Sequence, residues 1–304
     1  MDFGRADNIE DVDFTLPDDH KATDKLLALL KKRKRKKETN VYIGCSKWGI
    51  KEWLGILYPA NTKEKDFRDY YIKQFNSIEL NASHYKTPLA AQIKAWKEGV
   101  DKYFKFCPKF PRSISHIKRL KDCEKQTEWF YNSMKNFGPN LGTSFLQLPP
   151  NFAPKNFEAL EKYVSSLPND FDVCVEFRHP GWFSDVKVFD ETFEMLRKNK
   201  MGAVITDTAG RRDLVHTRLT NTTVFLRFVG NNLHPSDFKR VDDWVSRMKK
   251  WMDSGIENIY FLMHMHDEKD SPELSAYVIK KLNKECKLNL KLPHFYNVDE
   301  EGLF

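Results

Sequence analysis

From Val41 onward the chain repeats one pattern: a short apolar run, a polar turn, then a longer stretch whose apolar residues recur every three or four positions. The short runs predict strands at 41–45, 77–81, 103–107, 143–148, 171–177, 202–206, 223–228 and 258–264. The longer stretches predict helices at 63–75, 88–99, 119–137, 156–167, 186–199, 236–254 and 272–282. Pro88 suits the first turn of its helix, Ser236 and Ser271 suit amino-terminal caps, and Gly138–Pro139 and Gly202 mark exits. Strands that alternate with helices of this length pair in parallel through crossovers. Eight of them predict a TIM-type (β/α)8 barrel, with an open doubly wound sheet as the alternative. The sixth crossover, 207–221, is too short and too rich in Thr, Gly and Arg for a full helix, and reads as a loop or a single turn.

This pattern makes 41–290 one domain, with 1–40 a charged, flexible extension and 291–304 a tail. Within the extension only KLLALL, from Lys25 to Leu30, has the makings of a short helix. Charge there is split. Residues 1–30 hold eight acids and three bases, and Lys31 to Lys37 (KKRKRKK) is seven consecutive bases. The net charge of +7 therefore leaves the remaining 267 residues only mildly basic. The run is a solvated arm, a partner for the acidic stretch before it, or a contact for nucleic-acid phosphates.

Apolar residues at 40% and aromatics at 13% are ample for a packed core. No window approaches the roughly 18 apolar residues of a membrane span, and the acidic start MDFGRADNIEDVDF has no signal core. Five cysteines without a CxxC pair disfavour a disulfide framework, so the expected location is the cytoplasm, with no membrane partner.

In a β/α barrel the working groups come from the carboxyl ends of strands, and alternation says which of them share a face. By that rule Glu79 and Asn81 on strand two, Lys109 after strand three, Gln147 on strand four, Glu176 and Arg178 on strand five, Asp207 on strand six and Arg227 on strand seven gather at one mouth. Such a cluster is costly to bury unless its members pair or hold a ligand. It is either a satisfied internal network or a ligand site. Glu79 and Glu176 are an acid/base pair in the catalytic version, with His179 and Asp207 in support. His264 and His266, two apart in MHMHD, are either a divalent-metal chelate or a polar loop. His116 orients a phosphate or caps the next helix. Trp48, Tyr85 and Trp182 follow strands, where they stack a ring or roof the barrel. No Walker loop, GxGxxG, GxSxG or HExxH occurs.

The motifs IGCSKWGIKEW, FNSIELNASHY, FKFCPKFPRSISHIKRL, LGTSFLQLPPNF, VEFRHPGWF and FLRFVG, in that order, resemble the YecE-like domain-of-unknown-function family, number seventy-two. The resemblance spans Val41 to about Leu282 and implies a β/α barrel with no settled reaction. The family's motif positions fall here on Glu79, Asn81, Tyr85, Lys109, His116, Gln147, Glu176, Arg178, His179, Asp207 and Arg227. Two departures stand out. MHMHD replaces a strand end of the FNN type, and Cys45-Ser46-Lys47-Trp48 replaces a T-S-G-W sequence. The expected function is binding, or chemistry, on an anionic small molecule (phosphorylated or carboxylated) held by Lys109, Arg178 and Arg227. The alternatives are a nucleic-acid binder, in one form an endonuclease-IV-like metal-dependent phosphodiesterase drawing on Lys31 to Lys37, and a non-catalytic interaction module.

Overall fold

The computed structural model describes residues 4–33 and 38–296. Eight parallel strands run β1 (Asn40–Cys45), β2 (Ser77–Leu80), β3 (Lys105–Pro108), β4 (Ser144–Gln147), β5 (Val173–Glu176), β6 (Gly202–Asp207), β7 (Thr223–Gly230) and β8 (Asn258–Met265). Their order is β3-β2-β1-β8-β7-β6-β5-β4. Bridges from Phe106 to Leu141 and Lys109 to Phe145 join the two ends, giving a nearly closed TIM-type barrel. The helices are α1 (Lys21–Lys31), α2 (Phe67–Gln74), α3 (Ala82–Tyr85), α4 (Ala90–Lys97), α5 (Glu124–Met134), α6 (Phe157–Ser166), α7 (Gly181–Ser184), α8 (Val186–Lys198), α9 (Pro235–Ser254) and α10 (Ser271–Cys286).

Each predicted strand is present, shifted by a residue or two at its ends. Two caps differ. His234, not Ser236, caps α9 by accepting the Ser236 N–H on its ring nitrogen. Ser271 lies inside the first turn of α10, one residue past Asp270, where its hydroxyl donates to Glu268.

Alternation splits the core as expected for a barrel. Inward-facing Tyr42, Cys107, Phe145, Cys174, Val204, Phe225, Tyr260 and Leu262 pack into an apolar floor. Outward residues such as Ile43, Val175, Ile205, Leu226 and Phe261 pack under the helices. The next inward layer toward the carboxyl ends is polar, and that layer positions the site.

The extension differs most from expectation. Instead of standing apart, residues 4–33 pack on the barrel. Between β6 and β7 the chain makes only a short turn, Ala209–Leu214, so no crossover helix covers that face. α1 takes the place. His20 and Lys21 reach Asp190 on α8, Lys250 on α9 reaches Asp24, and Thr23 is buried against Thr217 and Leu219. Leu27 and Leu30 complete the seal. An acid just before α1 does the rest: Asp19 is held by Arg247, Lys250 and the Trp251 indole N–H of α9. Part of the acidic stretch thus finds partners in the barrel's own cations. In the tail, His294 N–H donates to Gln74 and Tyr296 N–H to the Ile56 carbonyl, so residues 291–296 also lie against the barrel.

Candidate functional site at the barrel mouth

At the centre Arg227, projecting inward from β7, sits between two glutamates. Its Nε and Nη2 donate to Glu79 at 2.8 and 2.9 Å, and Nη1 donates to both oxygens of Glu176 at 2.9 Å. Glu79 also accepts from Asn81 Nδ2 at 2.9 Å and lies 2.9 Å from His264 Nε2. Glu176 accepts from Arg178 Nε at 2.8 Å and Thr206 Oγ1 at 3.3 Å. All of these groups except Asn81 are buried. Burial pushes both carboxyls up, but Arg227 with His264 at Glu79, and Arg178 with Arg227 at Glu176, outweigh it and hold them below the ordinary range. Burial likewise opposes the Arg227 charge, and the two glutamates raise it instead.

Lys109 extends the cluster toward solvent. Its Nζ donates to Gln147 Oε1 at 2.9 Å, a neutral partner, and it makes no ion pair among the described residues. Burial, then the Arg227 charge, brings its ammonium down to about 8. His84 donates or accepts at the Phe110 carbonyl, 2.7 Å away, and meets His116 edge to face. Burial and then Lys109 lower both imidazoles to about 4, leaving them neutral near pH 7.

Above this layer opens a cleft of about 800 Å³, bounded by Ser46, Lys47, Asn81, Tyr85, Asn232 and Glu268, with Lys109, His84 and His266 also reaching it. A second cleft, of about 640 Å³, lies on the outside between α5 and α6, away from the buried charges.

Most of the predicted constellation therefore converges, but several roles change. Glu79 and Glu176 are saturated by arginine and sealed below the cleft, so neither is placed as an acid or base. Asp207 is not in the site. Thr206 faces inward, so the next residue faces outward, where Asp207 is bound by Arg240 and Trp244 of α9 and by Arg212. His179 accepts the Gly181 N–H and so caps the turn into α7. Trp182 is buried with its indole N–H on the Phe152 carbonyl, and Trp48 packs edge-on to Trp96 in the helix layer. Neither indole lines the cleft. Tyr85 does, and is 75% exposed. The predicted metal pair also separates: His264 points into the ion cluster while His266, past the strand end, faces the cleft. No group of three or more metal-ligating side chains occurs among the described residues.

Sequence reasoning missed His84, Ser46, Asn232 and Arg5 as cleft residues. His84 lies inside the quoted motif NASHY, and its nearness to Asn81 and Tyr85 was the available signal.

A family model described as "Protein of unknown function DUF72" matches residues 42–295. The chain belongs to this family. It is 29% identical over 262 residues to the UPF0759 protein YecE of Escherichia coli K12, covering 80% of this chain and 93% of that one. Among solved structures, a DUF72 protein of Thermotoga maritima superposes with a TM-score of 0.65 at 26% identity, covering 81% of this chain and all of the other. One from Enterococcus faecalis V583 has the same TM-score at 16% identity, covering 84% and 100%. The DUF72 match begins at Tyr42, so α1 lies outside it. No helix among the described residues is long and apolar enough to cross a membrane.

Proposed function

We propose that the barrel mouth binds a small anionic molecule, phosphorylated or carboxylated, with Lys109 as the cation that meets it. One observation carries this reading. The cluster contains three cations, the buried Arg227 and Arg178 and the half-buried Lys109, against two buried carboxylates, Glu79 and Glu176. Arg227 and Arg178 are paired with the carboxylates, and the uncompensated charge is Lys109, beside the opening. Holding an unpaired ion partly out of water is costly, as the lowering of the Lys109 ammonium by burial reflects, so an anion entering the cleft offsets that cost. Lys109 is also held over the Phe145 ring at 5.9 Å, which fixes its reach. Groups that face the cleft and can move a proton are His84, Tyr85 and His266 rather than the glutamates.

The nucleic-acid reading gains no support at this site. Arg33, within the basic run, lies at the opposite end of the barrel, paired with Glu257 just before β8. Residues 34–37 of the run lie outside the described residues.

Calorimetric titration of the full chain with inorganic phosphate, a hexose phosphate and malonate tests the proposal. Binding is expected to weaken as pH rises through about 8, where Lys109 loses its proton. Lys109→Gln is expected to lose at least tenfold in affinity while remaining as stable as the parent. Equal affinity in Lys109→Gln, or no binding of any of these anions by the parent chain, overturns it.

A further inference from the structure

The amino-terminal segment reaches the mouth as well. We infer that it completes the anion site by placing Arg5 opposite Lys109 as a further cation on the cleft, beside the exposed rim lysines Lys47 and Lys269, which makes the preferred ligand a dianion such as a phosphate monoester or a dicarboxylate; this rests on the anion-binding reading of Lys109.

The docking is specific at the backbone. Gly4, with φ of +77°, offers its carbonyl to the Gly210 N–H at 2.7 Å and the Thr208 hydroxyl at 2.8 Å. A Cβ on Gly4 would lie 2.3 Å from Thr208 Oγ1, and one on Gly210 would lie 2.2 Å from the Arg5 carbonyl oxygen. Only glycine at both positions lets the two backbones approach this closely, and φ of +77° favours glycine independently. Farther along, Phe14 lies 5.3 Å from the Arg212 guanidinium and 5.1 Å from that of Arg240, and His234 meets Glu10 at 3.1 Å. The segment is thus tied to the turn after β6 and to the start of α9 before it joins α1.

Arg5 follows immediately and borders the cleft, and it makes no side-chain hydrogen bond or ion pair among the described residues. It is held in place through its backbone while its guanidinium stays available. Of the carboxylates around the same cleft, Glu268 is occupied by the Ser46 and Ser271 hydroxyls, and Asp267 accepts the Lys269 N–H. Glu52 is exposed at the rim. Lys47 and Lys269 are exposed on the rim, whereas Lys109 enters from the end of β3 and Arg5 from beside β6. Guanidinium groups suit bidentate contacts to phosphate and carboxylate, and an ammonium acts as a point charge. Two such groups across one cleft favour an anion with two charges over one.

Titrations of the full chain with phosphate, malonate and acetate, on the parent and on Arg5→Gln, Gly210→Val and Lys109→Gln, test this. Arg5→Gln is expected to weaken phosphate and malonate about tenfold and leave acetate unchanged. Gly210→Val keeps Arg5 but displaces its backbone, and should match Arg5→Gln. Phosphate should also slow trypsin cleavage after Arg5 in the parent. If Arg5→Gln binds phosphate like the parent and phosphate leaves cleavage unchanged, while Lys109→Gln still loses binding, this inference fails and the anion site stands. If Lys109→Gln binds as well as the parent, or the parent binds neither phosphate nor malonate, both fail.

Discussion

Replacing Arg227 by methionine would keep most of the side-chain volume in the barrel and remove the one cation shared by Glu79 and Glu176. The four hydrogen bonds of 2.8–2.9 Å that it donates to them would be lost together. Glu176 would keep Arg178 and Thr206, whereas Glu79 would keep only Asn81 and His264. Removing one partner of a buried ion pair costs about 3–5 kcal/mol, because the remaining charge is stranded. At about 1.4 kcal/mol per decade this is a loss of roughly 150- to 4,000-fold in the folding equilibrium. The pH dependence separates stranded charge from lost packing. In the parent chain the glutamates are depressed, so their contribution is present above the ordinary carboxylate range and is lost as pH falls. Without Arg227, burial dominates at Glu79 and its folded value rises above the unfolded one. The penalty is then full at pH 7 and is relieved as the carboxyl protonates on acidification. Urea unfolding at pH 7 and pH 5 should show a gap between parent and variant that narrows at the lower pH. Glu79→Gln added to Arg227→Met should recover part of the loss. A cost under about 1 kcal/mol, or a gap independent of pH, would refute the reasoning.

Two further outcomes follow from the packing. Asp207→Asn should destabilise the fold by about 3 kcal/mol, because Arg240 and Arg212 lose their shared anion, while phosphate affinity at the mouth stays unchanged. A change in affinity would return Asp207 to the site. Leu27→Ala should cost about 2–3 kcal/mol in urea unfolding, as expected for a buried leucine, and a cost near zero would mean that α1 does not carry the packing assigned to it.

The barrel and most of its polar layer were legible because alternation along a strand is a local property. Glu79 with Asn81, and Glu176 with Arg178, follow from spacing of two on strands whose other face is apolar. Asp207 escaped the same rule for a definite reason. Its strand continues inward through Thr206, which the sequence offers as an equally polar residue one position earlier, and nothing local says which of the two faces the axis. Trp48 and Trp182 follow strands as ligand-stacking residues would, yet packing partners far along the chain, Trp96 and Phe152, decide their burial. The role of residues 4–33 was hidden for the same cause. Their partners Thr208, Thr217 and Arg247 lie about two hundred positions away, and a charged composition conceals an interface made of individually paired groups.

Because α1 stands in for the missing crossover helix, a helix that precedes every barrel strand in the chain closes the gap between β6 and β7, which are made much later. The Thr23 hydroxyl that bonds the Thr217 carbonyl must wait 194 residues for its partner. Contacts of such separation slow folding, and an apolar stripe awaiting its seat is exposed meanwhile. A chain begun at the first barrel strand would be spared that wait, but would leave the flanks of α8 and α9 bare to water.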